Sequence, residues 1–540
     1  VIVLVGFMGA GKTTVGHLLS ERLGLPFVDS DLVIEQRTGR AIRQIFAEDG
    51  EPAFREIEHQ VVAELINGPE AVLALGGGAA NHPVTAVRLK SVQVVYLRVG
   101  YQEAMLRVAG DQYRPMLGRP DLEGLYQSRL LVYESVATLT VATDGRRPEA
   151  VSQDVLAQLV RVPALPRGTS TVLVSCTGGT YNVYVGPGLL SEVDRLLPAL
   201  PYARTAVLLA AAVDDPAAVT VTNALRRTDL DVHLIEVPDR QAAKDLATVA
   251  RVAGELAEYA VHKDDLIVGV GGEVVCDIAG FVASTYNRGM PLALVPTTLA
   301  AQADSAIGGK ASLNLPQGRN LVGTVHQPVA VVADVTVPSG QRAREYRAGL
   351  AEAVKHALIS GGGLVSLLSD HAAELVDGDV DTLADMVARS VRVKAEIVGR
   401  DERERGDRLQ LNYGHTFGHA IEQVSGPDTV DDGEATAMGM MAAAYLARRQ
   451  GRISADLVSL HRQLLTGLGL PVAGRFDLDA LRKAWLRDKK YRSGIRFVLL
   501  NGLGHPEAGI PADDDSLAAV LSDLASESLI QVLPGASRAV

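Results

Sequence analysis

Gly6-Phe7-Met8-Gly9-Ala10-Gly11-Lys12-Thr13 decides how the first part of this 540-residue chain is read. It meets the pattern G-x-x-x-x-G-K-[ST] at every fixed position. Val1-Ile2-Val3-Leu4-Val5 precedes it, and Val15, Leu18, Leu19 and Leu23 come after it at helical spacing. A strand, a glycine-rich turn and a helix in that order predict a phosphate-binding loop. The glycines let backbone N–H groups curl round phosphate oxygens, and the helix start adds its positive dipole end. Gly9, Ala10, Gly11, Lys12, Thr13 and Thr14 are the expected ATP contacts. Lys12 is placed on the β- and γ-phosphates, and the Thr13 hydroxyl on magnesium.

The loop belongs to a small part of the chain. At roughly 150 residues per domain, the length predicts three or four domains. Hydrophobic residues make up 47%, and no run approaches the ~20 apolar residues of a membrane span. The net charge of −12 disfavours a nucleic-acid partner. Cys176 and Cys276 form neither a metal-type spacing nor a disulfide framework. A cytoplasmic protein acting on small molecules is expected, with its natural N-terminus upstream of Val1.

Helical periodicity ends near Val160, and Pro163, Pro166 and Gly168 punctuate the next stretch of chain. The predicted division is a P-loop domain over 1–162, a linker over 163–169, an α/β domain over 170–337 and a mainly helical domain over 338–540. Strands are expected at Thr171–Ser175, Tyr181–Val185, Ala206–Leu209, Val232–Val237, Leu266–Val270, Leu292–Val295 and Ala330–Val332. Apolar runs alternating with helical stretches predict parallel sheets, so the fold class is α/β with a Rossmann-like second part.

In the first domain, Phe27-Val28-Asp29-Ser30-Asp31 reads as a strand end carrying two carboxylates on one face. One suits magnesium and the other an acceptor hydroxyl, although Asp31 also suits a cap for a helix from Leu32. Arg55, Gly76-Gly77-Gly78, Arg114 and Arg129 complete the set. Together with Ile34-Glu35-Gln36-Arg37-Thr38-Gly39 and Arg114-Pro115, these strings closely resemble shikimate kinase over residues 1–160. The resemblance implies that Asp31, Arg55, Gly77 and Arg129 bind shikimate, with Asp31 deprotonating or orienting its 3-hydroxyl. It implies Asp29 beside magnesium and Arg114 in a lid over ATP. A guanidinium matches a carboxylate bidentately, which suits Arg55 and Arg129. The family has a Pro two residues after the latter arginine, where this chain has Leu131.

In the second part, His415 and His419 stand at i and i+4, a spacing open to zinc ligation or to a plain helix-face pair. Glu352 and Lys355 suit an exposed ion pair equally well. Lys394 falls within the apolar face of a helix predicted over Asp381–Arg400, which fits either snorkelling or an inward ammonium. Gly-rich strand ends at Gly269–Asp277 and Val295–Thr298 suit a dinucleotide. With Ala279-Gly280-Phe281, Ile307–Lys310, Asn320–Gly323, Ala348–Glu352, Asn412–Glu422 and Asp488–Lys490, residues 170–505 resemble 3-dehydroquinate synthase.

That resemblance implies an NAD-dependent cyclisation of 3-deoxy-arabino-heptulosonate 7-phosphate to 3-dehydroquinate with loss of phosphate. It implies Glu352, His415 and Asp432 on zinc or cobalt, and NAD+ on Asp239, Lys244, Gly271, Gly272, Asp277, Thr297, Thr298 and Lys310. Lys310, Lys355, Lys394 and His419 are implied as catalytic. Arg288, Asp304, Asn320, Arg408, Asn412 and Lys489 are implied substrate contacts, with Arg288 crossing the interface of a homodimer. Four positions depart from the family pattern. Asp432 replaces a metal-binding His, and Glu273 the third of three glycines. Gln241 replaces a ribose-binding Glu, and Arg319 a Lys. The whole chain thus reads as a kinase joined to a synthase. A related sugar-phosphate cyclase and a non-catalytic synthase module are the alternatives.

Overall fold

The computed structural model describes residues 1–66, 68–89, 92–108, 121–159, 166, 168–177, 179–338, 343–426, 429–486 and 494–530. Within it the chain divides into two units, Val1–Leu173 and Val174–Val540. Of the expected linker, residues 163–165 and 167 lie outside the described residues. The second unit takes in residues 174–337 of the expected α/β domain and all of the expected helical one.

In the first unit, β1 (Ile2–Val5), β2 (Phe27–Asp29), β3 (Val72–Ala74), β4 (Gln93–Arg98) and β5 (Leu139–Ala142) form a parallel sheet ordered β2-β3-β1-β4-β5. Val3 pairs with Leu73 on one side and Val94 on the other. Strands are added on both sides of β1, so its carboxyl end opens into the Gly6–Thr13 loop. Val3 and Leu4 are wholly buried, the aliphatic run expected of a strand covered on both faces. Ile34, Ile45, Phe54 and Val61 form a smaller core under the helices Ser30–Thr38, Ile42–Glu48 and Gly50–Ile66.

One expectation is corrected here. Asp29 ends β2 and caps the next helix, its Oδ1 accepting from Asp31 N at 3.0 Å. The cap turns the chain at once, so the helix starts at Ser30 and Asp31 lies in its first turn. Asp29 and Asp31 therefore do not share a strand face.

The strand β6 (Ser170–Cys176) precedes the sheet of the second unit. That sheet contains β7 (Gly179–Gly186), β8 (Thr205–Ala210), β9 (Asp231–Glu236), β10 (Leu266–Gly271) and β11 (Leu292–Pro296). The hairpin β12 (Lys310–Leu315) and β13 (Gly318–Val325) interrupts before β14 (Ala330–Asp334). The parallel order is β7-β14-β11-β10-β8-β9, with strand order reversing between β8 and β10. A second hairpin, β15 (Phe497–Leu500) and β16 (Pro506–Ile510), stands in the part expected to be helical. No described helix is long and apolar enough to cross a membrane.

Three helices carry the expected metal ligands: Ala343–Ser360 bears Glu352, His415–Ser425 bears His415, and Asp432–Arg449 begins at Asp432. Glycines let them touch backbone to backbone. A Cβ on Gly439 would lie 2.2 Å from Gly414 O, and one on Gly433 would lie 2.3 Å from Ala348 Cα. No side chain fits in either gap. Gly439→Ala is expected to lower the unfolding free energy of the second unit by about 1–3 kcal/mol, as overpacking does. Urea unfolding followed by Trp485 fluorescence measures this, and an unchanged midpoint would mean that the helices separate without cost.

Candidate active sites

The loop after β1 bends through Gly6, Gly9 and Gly11, with φ of 152°, 78° and 87°. A Cβ on Gly6 would meet Leu97 O at 2.6 Å, so only glycine fits there. Lys12 Nζ folds across the loop and donates to Gly6 O at 2.7 Å and to Phe7 O at 3.3 Å. No side chain caps the helix start at Gly11. Thr13 Oγ1 donates to Asp29 Oδ2 at 3.3 Å, bringing two oxygen donors together beside the loop.

Beyond Asp29, Gly76, Gly77 and Gly78 close against four charged side chains. Added Cβ atoms would stand 2.4 Å from Asp31 Oδ1 and 2.7 Å from Glu58 Oε1 at Gly76. They would stand 3.1 Å from Arg129 Nη1 at Gly77, and 2.3 Å from Arg55 Nη1 at Gly78. Arg55 bridges Glu58 at 2.5 Å and Glu51 at 3.0 Å. Burial, helped by Asp29, pushes Asp31 up to about 6 against the pull of Lys12 and Arg55. Burial also pushes Glu58 up to about 7. Asp31 Oδ1, Glu58 Oε1 and Arg129 Nε are buried without hydrogen-bond partners among the described residues. Such orphaned atoms gathered at one set of glycines fit a polar ligand that partners them. Glu58 and Tyr133, whose hydroxyl donates to Gly77 O, escaped the sequence reading. The i, i+3 spacing from Arg55 was the one available signal for Glu58. Arg114 lies outside the described residues.

In the second unit a cavity of about 1360 Å³ gathers Asp277, Asp304, Lys310, Asn320, Glu352, Lys355, Lys394, Arg408, Asn412, His415, His419 and Asp432. Asp239, Lys244, Gly271, Gly272, Thr297, Thr298 and Arg288 are not on its lining, and Lys489 lies outside the described residues. Asp304 sits in a π-helical turn, Ala301–Ser305. Lys355 Nζ reaches its Oδ2 at 2.9 Å, and Lys394 pairs with its Oδ1 and donates to its backbone oxygen at 2.7 Å. Burial opposes ionisation of Asp304, but Lys355 and Lys394 overcome it and hold the carboxyl well below its usual range. Burial pushes Lys394 down to about 8 despite Asp304. Lys394 therefore points inward, and the snorkelling alternative is set aside.

Glu352 pairs with Lys355 through Oε2 and faces His415 through Oε1, 3.6 Å from Nε2. His415 Nδ1 is 3.2 Å from Tyr413 O, a carbonyl that can only accept. Nδ1 thus carries a proton, and Nε2 is the ring atom that faces Glu352. Two donors of a tetrahedral ion stand about 3.4 Å apart when each bond is ~2.1 Å, so the pair fits a metal between them. Asp432 lines the same cavity and is pushed up to about 6 by burial, against the pull of His419. Among the described residues, the one group of three potential ligands within 4.8 Å is instead Asp304, Glu352 and His356. The two carboxylates of that group are already matched by lysines.

Two contributors were missed. Glu404, at a left-handed φ of 56°, meets Lys310 Nζ at 2.7 Å and accepts from Asn412 Nδ2 at 2.9 Å. His461 is wholly buried and pushed down to about 4. Its Nδ1 donates to Leu457 O at 2.6 Å, leaving Nε2 to accept from the Tyr413 hydroxyl at 2.7 Å and pin the turn before His415. Neither lies in a recognisable local pattern.

Comparison with known proteins places both units. Residues 8–160 match the family model for shikimate kinase. Residues 234–348 and 349–491 match the N-terminal and C-terminal models for 3-dehydroquinate synthase. The chain is 41% identical over 348 residues to 3-dehydroquinate synthase from Thermobifida fusca, covering 63% of this chain and 93% of that protein. The chain belongs to the 3-dehydroquinate synthase family. The 3-dehydroquinate synthase from Nitrosomonas europaea is 38% identical over 332 residues, covering 61% of this chain and 90% of that protein. Among solved structures, 2-deoxy-scyllo-inosose synthase complexed with carbaglucose-6-phosphate, NAD+ and Co2+ aligns with a TM-score of 0.61 at 26% identity. It covers 66% of this chain and all of that one. A 2-epi-5-epi-valiolone synthase from Streptomyces hygroscopicus subsp. jinggangensis, with NAD+ and Zn2+ bound, aligns at 0.58 and 27%, covering 64% of this chain and 97% of that one. A shikimate kinase domain is thus fused to 3-dehydroquinate synthase domains, a combination consistent with a bifunctional shikimate-pathway enzyme.

All four departures from the synthase pattern, Gln241, Glu273, Arg319 and Asp432, line this cavity. Arg319 Nη1 stands 2.6 Å from both carboxylate oxygens of Glu422. Burial works against its charge, but Glu422, Asp432 and Glu273 together hold it more firmly protonated. The replacements therefore share one electrostatic environment.

Proposed function

We propose that the first unit phosphorylates shikimate at its 3-hydroxyl, and that the second converts 3-deoxy-arabino-heptulosonate 7-phosphate to 3-dehydroquinate and phosphate. The observation that carries the first reading is the cluster in which Asp31, Arg55, Glu58 and Arg129 close on Gly76–Gly78 beside the phosphate loop. ATP supplies the phosphoryl group and magnesium offsets its charge. Thr13 and Asp29 offer that ion oxygen ligands, and Lys12 leaves its loop carbonyls to stabilise the transferring charge. Arg55 and Arg129 hold the acceptor's carboxylate, and Asp31 takes the hydroxyl proton.

The second reading rests on the cavity around Asp304 together with 41% identity to a synthase, against 26% to the inosose-forming cyclase. When bound, NAD+ supplies a reversible hydride acceptor and zinc or cobalt a Lewis acid. Glu352, His415 and Asp432 offer the ion two carboxylates and an imidazole. Lys310, Lys355, Lys394 and Arg408 give the substrate's anionic groups a cationic wall, with Asn320, Asn412 and His419 as further contacts and Asp304 near the reacting carbons. A homodimer in which Arg288 reaches the second copy's cavity belongs to this reading. A cytoplasmic setting suits both reactions.

Exchanging one residue per unit separates the activities. Lys12→Ala is expected to lower shikimate-dependent ADP formation at least 100-fold while leaving phosphate release from the heptulosonate phosphate unchanged. Lys355→Ala is expected to do the reverse. Near-normal kinase turnover in Lys12→Ala contradicts the first reading, and near-normal phosphate release in Lys355→Ala contradicts the second.

The raised value of Asp31 sets a pH dependence. A base must be ionised, and Asp31 is ionised above about 6 and protonated below it. Kinase turnover at saturating substrates should fall about tenfold per pH unit below that point, and Asp31→Asn should lose most turnover at every pH. A wild-type profile flat from pH 7.5 to 4.5 would show that Asp31 takes no proton.

A further inference from the structure

Strand order reverses between β8 and β10, and open parallel sheets take phosphate-bearing ligands at the carboxyl ends of strands flanking such a reversal. Here β10 runs into Gly271-Gly272 and the helix Glu273–Thr285. Both glycines are needed for close approach: a Cβ on Gly271 would stand 2.6 Å from Val275 Cβ, and one on Gly272 would stand 2.6 Å from Asp239 Oδ2. Amides at a helix start and a nearby ammonium make an anion seat. The local ammonium is Lys244, whose side chain is fully buried.

The protein's own carboxylates already engage this seat. Asp239 Oδ2 accepts from Gly272 N at 2.6 Å. Lys244 Nζ lies 2.5 Å from Asp277 Oδ2 and 2.8 Å from Glu273 Oε1. Asp277 is held in place, its side chain only 10% exposed, whereas that of Glu273 is 43% exposed and lines the cavity. Glu273 can therefore swing off Lys244 without dismantling the core. Arg319, already within the field of Glu273, stands on the same cavity wall.

We propose that Glu273 is an internal competitor for the cofactor's diphosphate, held on Lys244 at the helix start and displaced when the dinucleotide binds. The inference rests on the NAD+ reading of the second unit. Binding exchanges one carboxylate for one diphosphate on the same ammonium, so Glu273 sets cofactor affinity without touching the reacting carbons. Removing its charge removes the competitor.

The test is equilibrium binding of NAD+ and of adenosine to the full-length chain, compared among wild type, Glu273→Gln and Glu273→Gly. Both variants should bind NAD+ at least tenfold more tightly, while adenosine, which lacks the diphosphate, binds all three proteins equally. Glu273→Gln keeps the side-chain shape, so it reports charge even if Glu273→Gly loosens the helix start. Unchanged or weaker NAD+ binding by Glu273→Gln overturns the inference. So does equal tightening of adenosine, which would assign the effect to crowding. If none of the three proteins binds NAD+ at millimolar concentration, the cofactor reading itself falls and the inference with it.

Discussion

The Asp304 carboxylate holds two buried ammonium groups, Lys355 and Lys394, and the second unit's cavity is arranged around that contact. Bringing charges out of water is costly unless each finds a partner. Here one carboxylate on a π-helical turn answers lysines from two helices, Ala343–Ser360 and Val380–Arg400. The arrangement ties a sheet connection and two helices together on the cavity wall. It also divides the work of Glu352, one oxygen on Lys355 and the other facing His415. A metal placed by Glu352 and His415 is thereby kept apart from the lysine-matched carboxylate of Asp304.

Much of this was legible where chemistry and local pattern coincide. The phosphate loop, the parallel strands and the helix over Val380–Arg400 follow from periodicity and glycine placement. So does the ambiguity of Lys394, which only its contact with Asp304 resolves. The reading failed where a cap or a bend intervened. Asp29 caps the helix that alternation would have postponed, so Asp31 turned out helical. The hairpin β12–β13 carries a register break between Leu313 and Leu315 and Asn320 at a left-handed φ, which hides its alternation. Glu58 shows locally only as the i+3 partner of Arg55, and Tyr133, Glu404 and His461 act through partners further along the chain or through backbone atoms. No single segment announces such roles.

The departures from the synthase pattern are not scattered. Glu273, Arg319 and Asp432 face one cavity, and the guanidinium of Arg319 answers carboxylates that include both of the others. A carboxylate added at the cofactor seat and another in place of an imidazole make the cavity more acidic, and Arg319, standing where the pattern has another cation, feels both. Of the three, Asp432 bears most directly on chemistry. It offers oxygen where its relatives' pattern offers nitrogen, and it does not join Glu352 and His415 in a tight three-ligand group among the described residues.

The position of the metal tests this account most directly. Crystals of the full-length chain grown with cobalt, measured at the cobalt absorption edge, locate the ion by anomalous difference density. The account predicts one peak in the second unit, about 2.1 Å from Glu352 Oε1 and His415 Nε2, with the Asp432 carboxylate turned towards it. A peak between Asp304 and His356 would contradict it, because the lysines would then have released the carboxylate on which the cavity depends.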